Sequence, residues 1–176
     1  METEQDKTLE ALQIAIQMET DGKKYYQEMS QSSENRLGRE LFQSLAAEED
    51  VHRKKFEEIY NALRNKKAWP MTDFRPDGGK RLRTIFARAI EERKPNIKSL
   101  STESDAVQTA MGMENKTHDF YKSQGEIAAY AAEKYFYETL AAEEREHYLI
   151  LLDYYEYIKN PAAWFVAKEH PSLDGG

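Results

Sequence analysis

Residues 44–52 read SLAAEEDVH, and residues 139–147 read TLAAEEREH. The phrase recurs after ninety-five residues, and it sets acids and a histidine where an amphipathic helix would place its core. Both copies lie inside long proline-free stretches, residues 1–69 and 96–160, with strong helical periodicity.

Shifting the chain by the same offset aligns much more than the quoted phrase. Ala11 to Ala15 (ALQIA) falls on Ala106 to Ala110 (AVQTA), Met18-Glu19 on Met113-Glu114, and Tyr25-Tyr26 on Phe120-Tyr121. Glu19 precedes Glu49 by thirty residues, and Glu114 precedes Glu144 by thirty. One offset serves two pairs of helices, so the chain is two copies of a helical hairpin.

The punctuation predicts where the helices lie. A first helix over 4–31 and a second over 35–66 are parted by the polar break SQSSEN. A third over 103–123 opens at the Ser/Asp cap signal in STESD. A break at Gln124-Gly125 leads into a fourth that stops at Asn160-Pro161. Between the hairpins, WPMTDFRPDGGK is turn-rich, and RLRTIFARAIEE reads as a short amphipathic helix ended by Lys94-Pro95. The expectation is an all-α four-helix bundle over 1–160. Its hairpins span 4–66 and 103–159, joined by a long crossover over 67–102 that contains a short helix. Two hairpins with one long crossover is the ferritin-like way to build such a bundle. The tail, 161–176, is expected to pack on the bundle or on a partner subunit.

Bulk properties narrow the function. A chain of 176 residues is one domain by length and can bury roughly two-thirds of its unfolded surface. Its mean hydropathy of -0.85 and the lack of any long apolar run predict a soluble protein that does not span a membrane. The start, METEQDKTLE, lacks the pattern of a secretory signal, so the expected location is the cytoplasm. A net charge of -7 argues against nucleic acid as a partner. The absence of cysteine excludes disulfides, thiol catalysis and thiolate-bound metals.

Tracing each core stripe in steps of three and four gives the decisive pattern. The stripes read Leu12, Ala15, Glu19, Gly22, Tyr26, Met29; then Phe42, Leu45, Glu49, His52, Phe56, Ile59, Leu63; then Val107, Ala110, Glu114, Thr117, Tyr121; then Tyr137, Leu140, Glu144, His147, Leu151, Tyr154, Ile158. They are apolar, small or aromatic except at one level, where four Glu and two His converge. Four buried carboxylates repel one another unless countercharge is present, and no Lys or Arg lies on these stripes. Two divalent cations would balance four carboxylates with both imidazoles neutral. Glu and His at i and i+3 share one helical face and can serve one metal. Imidazole and carboxylate suit iron or manganese. The alternatives are a decayed site and charges paired across a dimer.

Tyr26 and Tyr121 follow Glu19 and Glu114 by two turns on the same stripes. They read either as core packing or as hydrogen-bond donors to a ligating carboxylate. Glu48 and Glu143 read mainly as solvated charge, with orientation of a histidine across the bundle as the other role. His118 and His170 read as surface residues.

Glu19, Glu49-x-x-His52, Glu114 and Glu144-x-x-His147 together resemble the carboxylate-bridged di-iron pattern of the ferritin-like superfamily. The duplication and the phrase AAEExxH are most similar to its rubrerythrin branch. The resemblance implies two iron ions, with manganese as the alternative. Glu19 and His52 would serve one ion, Glu114 and His147 the other, and Glu49 and Glu144 would bridge. It implies an oxidoreductase of oxidative-stress type, reducing peroxide or dioxygen or oxidising ferrous iron, in a homodimer. Rubrerythrins usually carry a four-cysteine rubredoxin domain; with no cysteine here, electrons would come from a separate rubredoxin-like donor. They also place a further Glu where this chain has Thr117, so the site has six ligands. Gly22 and Thr117 could leave room for the oxidant. Iron storage, hydroxylation of an organic substrate and a non-catalytic interaction module are the competing functions.

Overall fold

The computed structural model describes residues 3–71, 74–92 and 101–169. They form six helices: α1 (Glu4–Ser32), α2 (Arg36–Arg64), α3 (Lys80–Glu92), α4 (Ser101–Ile127), α5 (Ala131–Lys159) and α6 (Pro161–Glu169). The architecture is an all-α ferritin-like bundle, with α1 packed on α2 and α4 on α5. The hairpins meet where α1 faces α4 and α2 faces α5. Among the described residues no helix is long and apolar enough to cross a membrane.

Local chemistry sets the helix ends. Thr3 and Asp6 form a capping box at the start of α1, satisfying donors that the first turn leaves unpaired. Asn35 stands at the N-cap of α2 with extended backbone, yet its amide does not cap that helix; it donates to Glu103 at 2.8 Å. Asn160 ends α5 and accepts from the Ala163 N–H at 3.1 Å, which starts α6 with Pro161 at the first helical position.

The core divides into two apolar clusters on either side of the acidic level. One holds Tyr26, Phe42, Leu45, Val107, Leu151 and Tyr154, joined by Leu82, Ile85 and Phe86 of α3 and by Trp164 of α6. The other holds Leu12, Ala15, Phe56, Ile59, Tyr121, Tyr137 and Leu140. Repeat-related residues fall in opposite clusters: Leu12 and Val107, Tyr26 and Tyr121, Phe42 and Tyr137, Leu45 and Leu140, Phe56 and Leu151. The copies are therefore inverted relative to each other, and the polar level common to both lies midway. Each fully buried Phe or Leu contributes about 1.5–3 kcal/mol, which offsets what the acidic level costs.

The crossover closes one side of this level. Trp69 packs on Phe136 and Tyr137, and Phe74 sets its edge against His52 and Phe136. Asp77 accepts from the N–H groups of Gly79 and Arg81 at the start of α3, and Arg83 pairs with Glu146 on α5.

One expectation is corrected. Gln124-Gly125 does not break the third helix, which continues to Ile127. Gly125 is buried within it, and a side chain there would meet Glu138 and Tyr137 at 3.5 Å, an ordinary contact distance. The start of the tail is helical. It forms α6, whose Trp164 stacks edge-on against Tyr157 at 4.9 Å and donates to Asp153 at 3.0 Å. The stop at Lys94-Pro95 and His170 lie outside the described residues.

Candidate metal centre

Each long helix brings its stripe residue to the same height. Glu19 comes from α1, Glu49 and His52 from α2, Glu114 from α4, and Glu144 and His147 from α5; all are at most 3% exposed. They form two overlapping groups, Glu19–Glu49–His52–Glu144 and Glu49–Glu114–Glu144–His147. Within each group one donor atom per residue lies within 4.8 Å of the others. Glu49 and Glu144 belong to both groups. The imidazoles lie nearly parallel, 5.6 Å apart.

The donor atoms point inward and are unsatisfied. Glu19 Oε2, Glu49 Oε1, His52 Nδ1, Glu114 Oε2, Glu144 Oε1 and His147 Nδ1 are buried without a hydrogen bond, one from each of the six residues. His52 Nδ1 faces Glu144 Oε1 at 3.2 Å and Glu19 Oε2 at 3.5 Å. His147 Nδ1 faces Glu49 Oε1 at 3.1 Å and Glu114 Oε2 at 3.6 Å. Buried polar atoms are otherwise almost always paired. Six orphans around one centre, all oxygen or imidazole nitrogen, fit a pair of divalent cations that prefer those donors.

The charge state without cations shows the same strain. Burial, then the charges of Glu19, Glu144 and Glu114, push the Glu49 carboxyl well above the usual carboxylate range. Burial with Glu114 and Glu19 does the same to Glu144. Burial also acts to raise Glu114, but the charge and hydrogen bond of His147, with bonds from Glu144 and Tyr26, bring it below its ordinary value. Burial opposes protonation of both imidazoles, yet facing carboxylates raise His52 and raise His147 further. Without cations the centre therefore favours protonation of Glu49, Glu144 and both imidazoles.

Hydrogen bonds link the hairpins around this centre. Tyr26 donates to Glu114 Oε1 and Tyr121 to Glu19 Oε1, so each hairpin's tyrosine holds the other hairpin's carboxylate. Burial and the surrounding acids push both phenols well above their ordinary range, so they remain donors. Glu48 Oε2 lies 2.9 Å from His147 Nε2, the nitrogen facing away from the centre. Its counterpart Glu143 is 5% exposed and buried, which corrects its reading as solvated charge, and it makes no hydrogen bond with a described residue. Gly22 lies where a side chain would come within 3.1 Å of Glu49 Oε2. Thr117 turns its hydroxyl back to the Met113 carbonyl at 3.0 Å. His118 lies apart, beside Asp119.

A further buried carboxylate continues the α4 stripe, one turn before Val107. Glu103, at the start of α4, accepts from Ser33 Oγ and Tyr154 Oη at 2.6 Å and from Asn35. It locks the α1–α2 turn to the other hairpin. The duplication also runs further than the stripes, because Asn65 and Trp69 stand ninety-five residues before Asn160 and Trp164. That match was available in the sequence; the contacts of Glu103, from a turn without periodicity, were not.

The rubrerythrin family model matches residues 10–155, which include all six residues of the centre. No curated protein and no solved structure matches significantly.

Proposed function

Because the chain belongs to the rubrerythrin family, we propose that it is a non-haem di-iron oxidoreductase that reduces peroxide or dioxygen, with ferrous iron as a further oxidisable substrate. The observation that carries this reading is the pair of four-residue groups sharing Glu49 and Glu144. Glu19 and His52 would hold one ion, Glu114 and His147 the other, and the two shared carboxylates would span both. Manganese fits the same donors.

An iron pair supplies two one-electron couples and a Lewis-acidic place for an oxidant oxygen. The chain supplies the rest. Tyr26 and Tyr121 orient the terminal carboxylates and keep their charge from spreading outward. Glu48 fixes the tautomer of His147, leaving Nδ1 free toward the centre. Apolar clusters above and below keep bulk water out, and Phe74 covers the His52 side. Gly22 lets α1 approach Glu49 closely, since a side chain there would come within 3.1 Å of Glu49 Oε2. The cysteine-free chain would receive electrons from a separate rubredoxin-like protein, and we place it in the cytoplasm as a homodimer.

The test is reconstitution with ferrous iron without oxygen, followed by metal analysis and a peroxide-consumption assay. The expected result is two irons per chain and peroxide loss that disappears in Glu49→Ala and Glu144→Ala. A chain that takes up no iron, or that takes it up and leaves peroxide intact, overturns the reading. Size-exclusion separates it from storage, since a dimer is expected and a large cage would favour storage.

A further inference from the structure

One short stretch of the crossover reverses the charge of the chain. Acids outnumber bases 32 to 25 over the whole sequence, yet Lys80 to Arg88 (KRLRTIFAR) holds four bases and no acid. Leu82, Ile85 and Phe86 are buried in the core, so the four cations fall on the outer face of α3 with Thr84. Arg83 is engaged by Glu146 of α5 and by the Gly78 carbonyl. Lys80, Arg81 and Arg88 make no ion pair or side-chain hydrogen bond with a described residue. These free cations border a cleft of about 370 Å³ between α2 and α3, with Arg81, Thr84 and Arg88 on one wall and Glu40 and Ser44 on the other. Arg81, Thr84 and Arg88 recur at steps of three and four, so they share one helical face. Glu40 is already held by Arg36 at 2.9 Å. Each guanidinium can grip a carboxylate through two parallel N–H donors.

This basic face stands beside the centre. Gly79, just before α3, lies where a side chain would come within 3.1 Å of Oε2 of Glu146, the residue that precedes His147. On α2, Glu48 follows Glu40 and Ser44 at steps of four, in line with the wall of the cleft. Its carboxylate lies 2.9 Å from His147 Nε2, and its side chain is 16% exposed. One carboxylate and one hydrogen bond therefore separate that imidazole from solvent. Another basic run without an acid, Arg64 to Lys67, lies about three helical turns beyond His52, at the end of α2. No large apolar side chain is exposed among the described residues of α3. The face thus lacks what a permanent interface needs and fits a brief encounter steered by charge.

We propose that the outer face of α3 is the docking surface for the electron donor, a small acidic one-electron carrier protein whose carboxylates enter between Arg81 and Arg88; this rests on the peroxide-reducing reading above. The electron enters beside Glu48 and His147. Each encounter oxidises the carrier by one electron and reduces one ion of the centre by one. Two encounters restore the pair that one peroxide oxidises. Because the rest of the chain is acidic, a carrier of negative charge is repelled elsewhere and drawn to this face.

The experiment uses the iron-loaded full chain, with a rubredoxin of strongly negative net charge as the probe. Binding is read by calorimetry with the oxidised probe. Electron transfer is read from the absorbance of the reduced probe as the peroxide-treated chain oxidises it. Both are expected to weaken as salt rises, because screening removes attraction between exposed charges. Arg81→Glu combined with Arg88→Glu is expected to slow transfer and weaken binding by about tenfold or more. Arg64→Glu combined with Lys67→Glu makes the same change of net charge away from α3 and is expected to leave both close to wild type. Iron content, and peroxide consumed by the ferrous chain in one turnover, are expected to be unchanged in every variant. Equal effects from the two pairs, no effect from the α3 pair, or a probe that does not bind a chain that consumes peroxide overturns the docking surface alone. Duplex DNA held by the α3 face as tightly as the probe would mark a surface for any polyanion and overturn it too. A chain that binds no iron or leaves peroxide intact overturns the reading beneath it, and the docking assignment falls with it.

Discussion

Tyr26 on α1 donates its hydroxyl to Glu114 on α4, and the repeat-related Tyr121 on α4 returns the same bond to Glu19 on α1. Each bond crosses the joint between hairpins, so the geometry of the centre and the docking of the two copies are one constraint. Replacing Tyr26 or Tyr121 by Phe keeps the packed ring and removes the donor, leaving a buried carboxylate oxygen unpaired. Loss of a partner that orients a metal ligand typically costs about 10–100-fold in affinity. We expect a loss in that range for Co²⁺ by competition titration with a chelator, similar in the two variants. Unchanged affinity would reduce the tyrosines to packing.

Gly38 is required by space. A side chain there would lie 2.5 Å from Ser33 Oγ and 2.6 Å from Glu103 Oε1, and against Tyr154 Oη as well. All three belong to the buried network that ties the α1–α2 turn to the second hairpin. Gly38→Ala is expected to destabilise by about 1–3 kcal/mol, as overpacking does. Gly112, exposed in α4 with nothing within 4 Å of an added side chain, is the control. Gly112→Ala is expected to stabilise by about 0.5–1 kcal/mol through helix propensity. Urea unfolding midpoints of the two variants should move in opposite directions.

Why the six residues of the centre were legible while Glu103 was not follows from the same geometry. Glu19, Glu49, His52, Glu114, Glu144 and His147 sit on stripes whose period is intrinsic to the helix, and the duplication repeats the anomaly. Glu103 lies at a helix start, and its partners Ser33, Asn35 and Tyr154 come from a turn and a distant helix. The spacing puts Glu103 and Tyr154 on their stripes but does not encode the turn residues Ser33 and Asn35 that meet them. Glu143, one residue before Glu144, is buried, whereas the equivalent Glu48 is only partly so. Gly125 lies inside α4, so its Gln-Gly pair marks no helix end.

Metal binding should release protons. Without cations, Glu49 and Glu144 are held well above the usual carboxylate range, and His52 and His147 are raised above theirs. Raised values mean that these groups hold their protons to higher pH than free ones do, and cations compete with those protons. The sign follows: each displaced proton makes binding weaker as pH falls and stronger as it rises. Calorimetry in two buffers of different ionisation enthalpy should show net proton release on adding Zn²⁺, and affinity should fall between pH 8 and pH 6 (about the range where histidine titrates). Proton uptake, or affinity flat in pH, would contradict this charge state.

Glu48 and Glu143 occupy equivalent positions in the two copies, so sequence alone predicts equal effects on removing either. The structure predicts unequal ones. Glu48 lies at hydrogen-bond distance from His147 Nε2, fixing that ring and raising its basicity toward a metal. Glu143 bonds no imidazole, and the ring of His52 is instead met by the edge of Phe74. Glu48→Ala should therefore weaken the ion held by Glu114 and His147 by about 10–100-fold, splitting the binding curve into a tight and a weak step. Glu143→Ala removes a carboxylate that burial already pushes toward the neutral form, so it should leave both steps close to wild type. Titration of each variant with Co²⁺, followed by absorption, distinguishes the outcomes. Equal weakening by both substitutions would mean that the two imidazoles are supported alike and that the asymmetry of the centre has no energetic consequence.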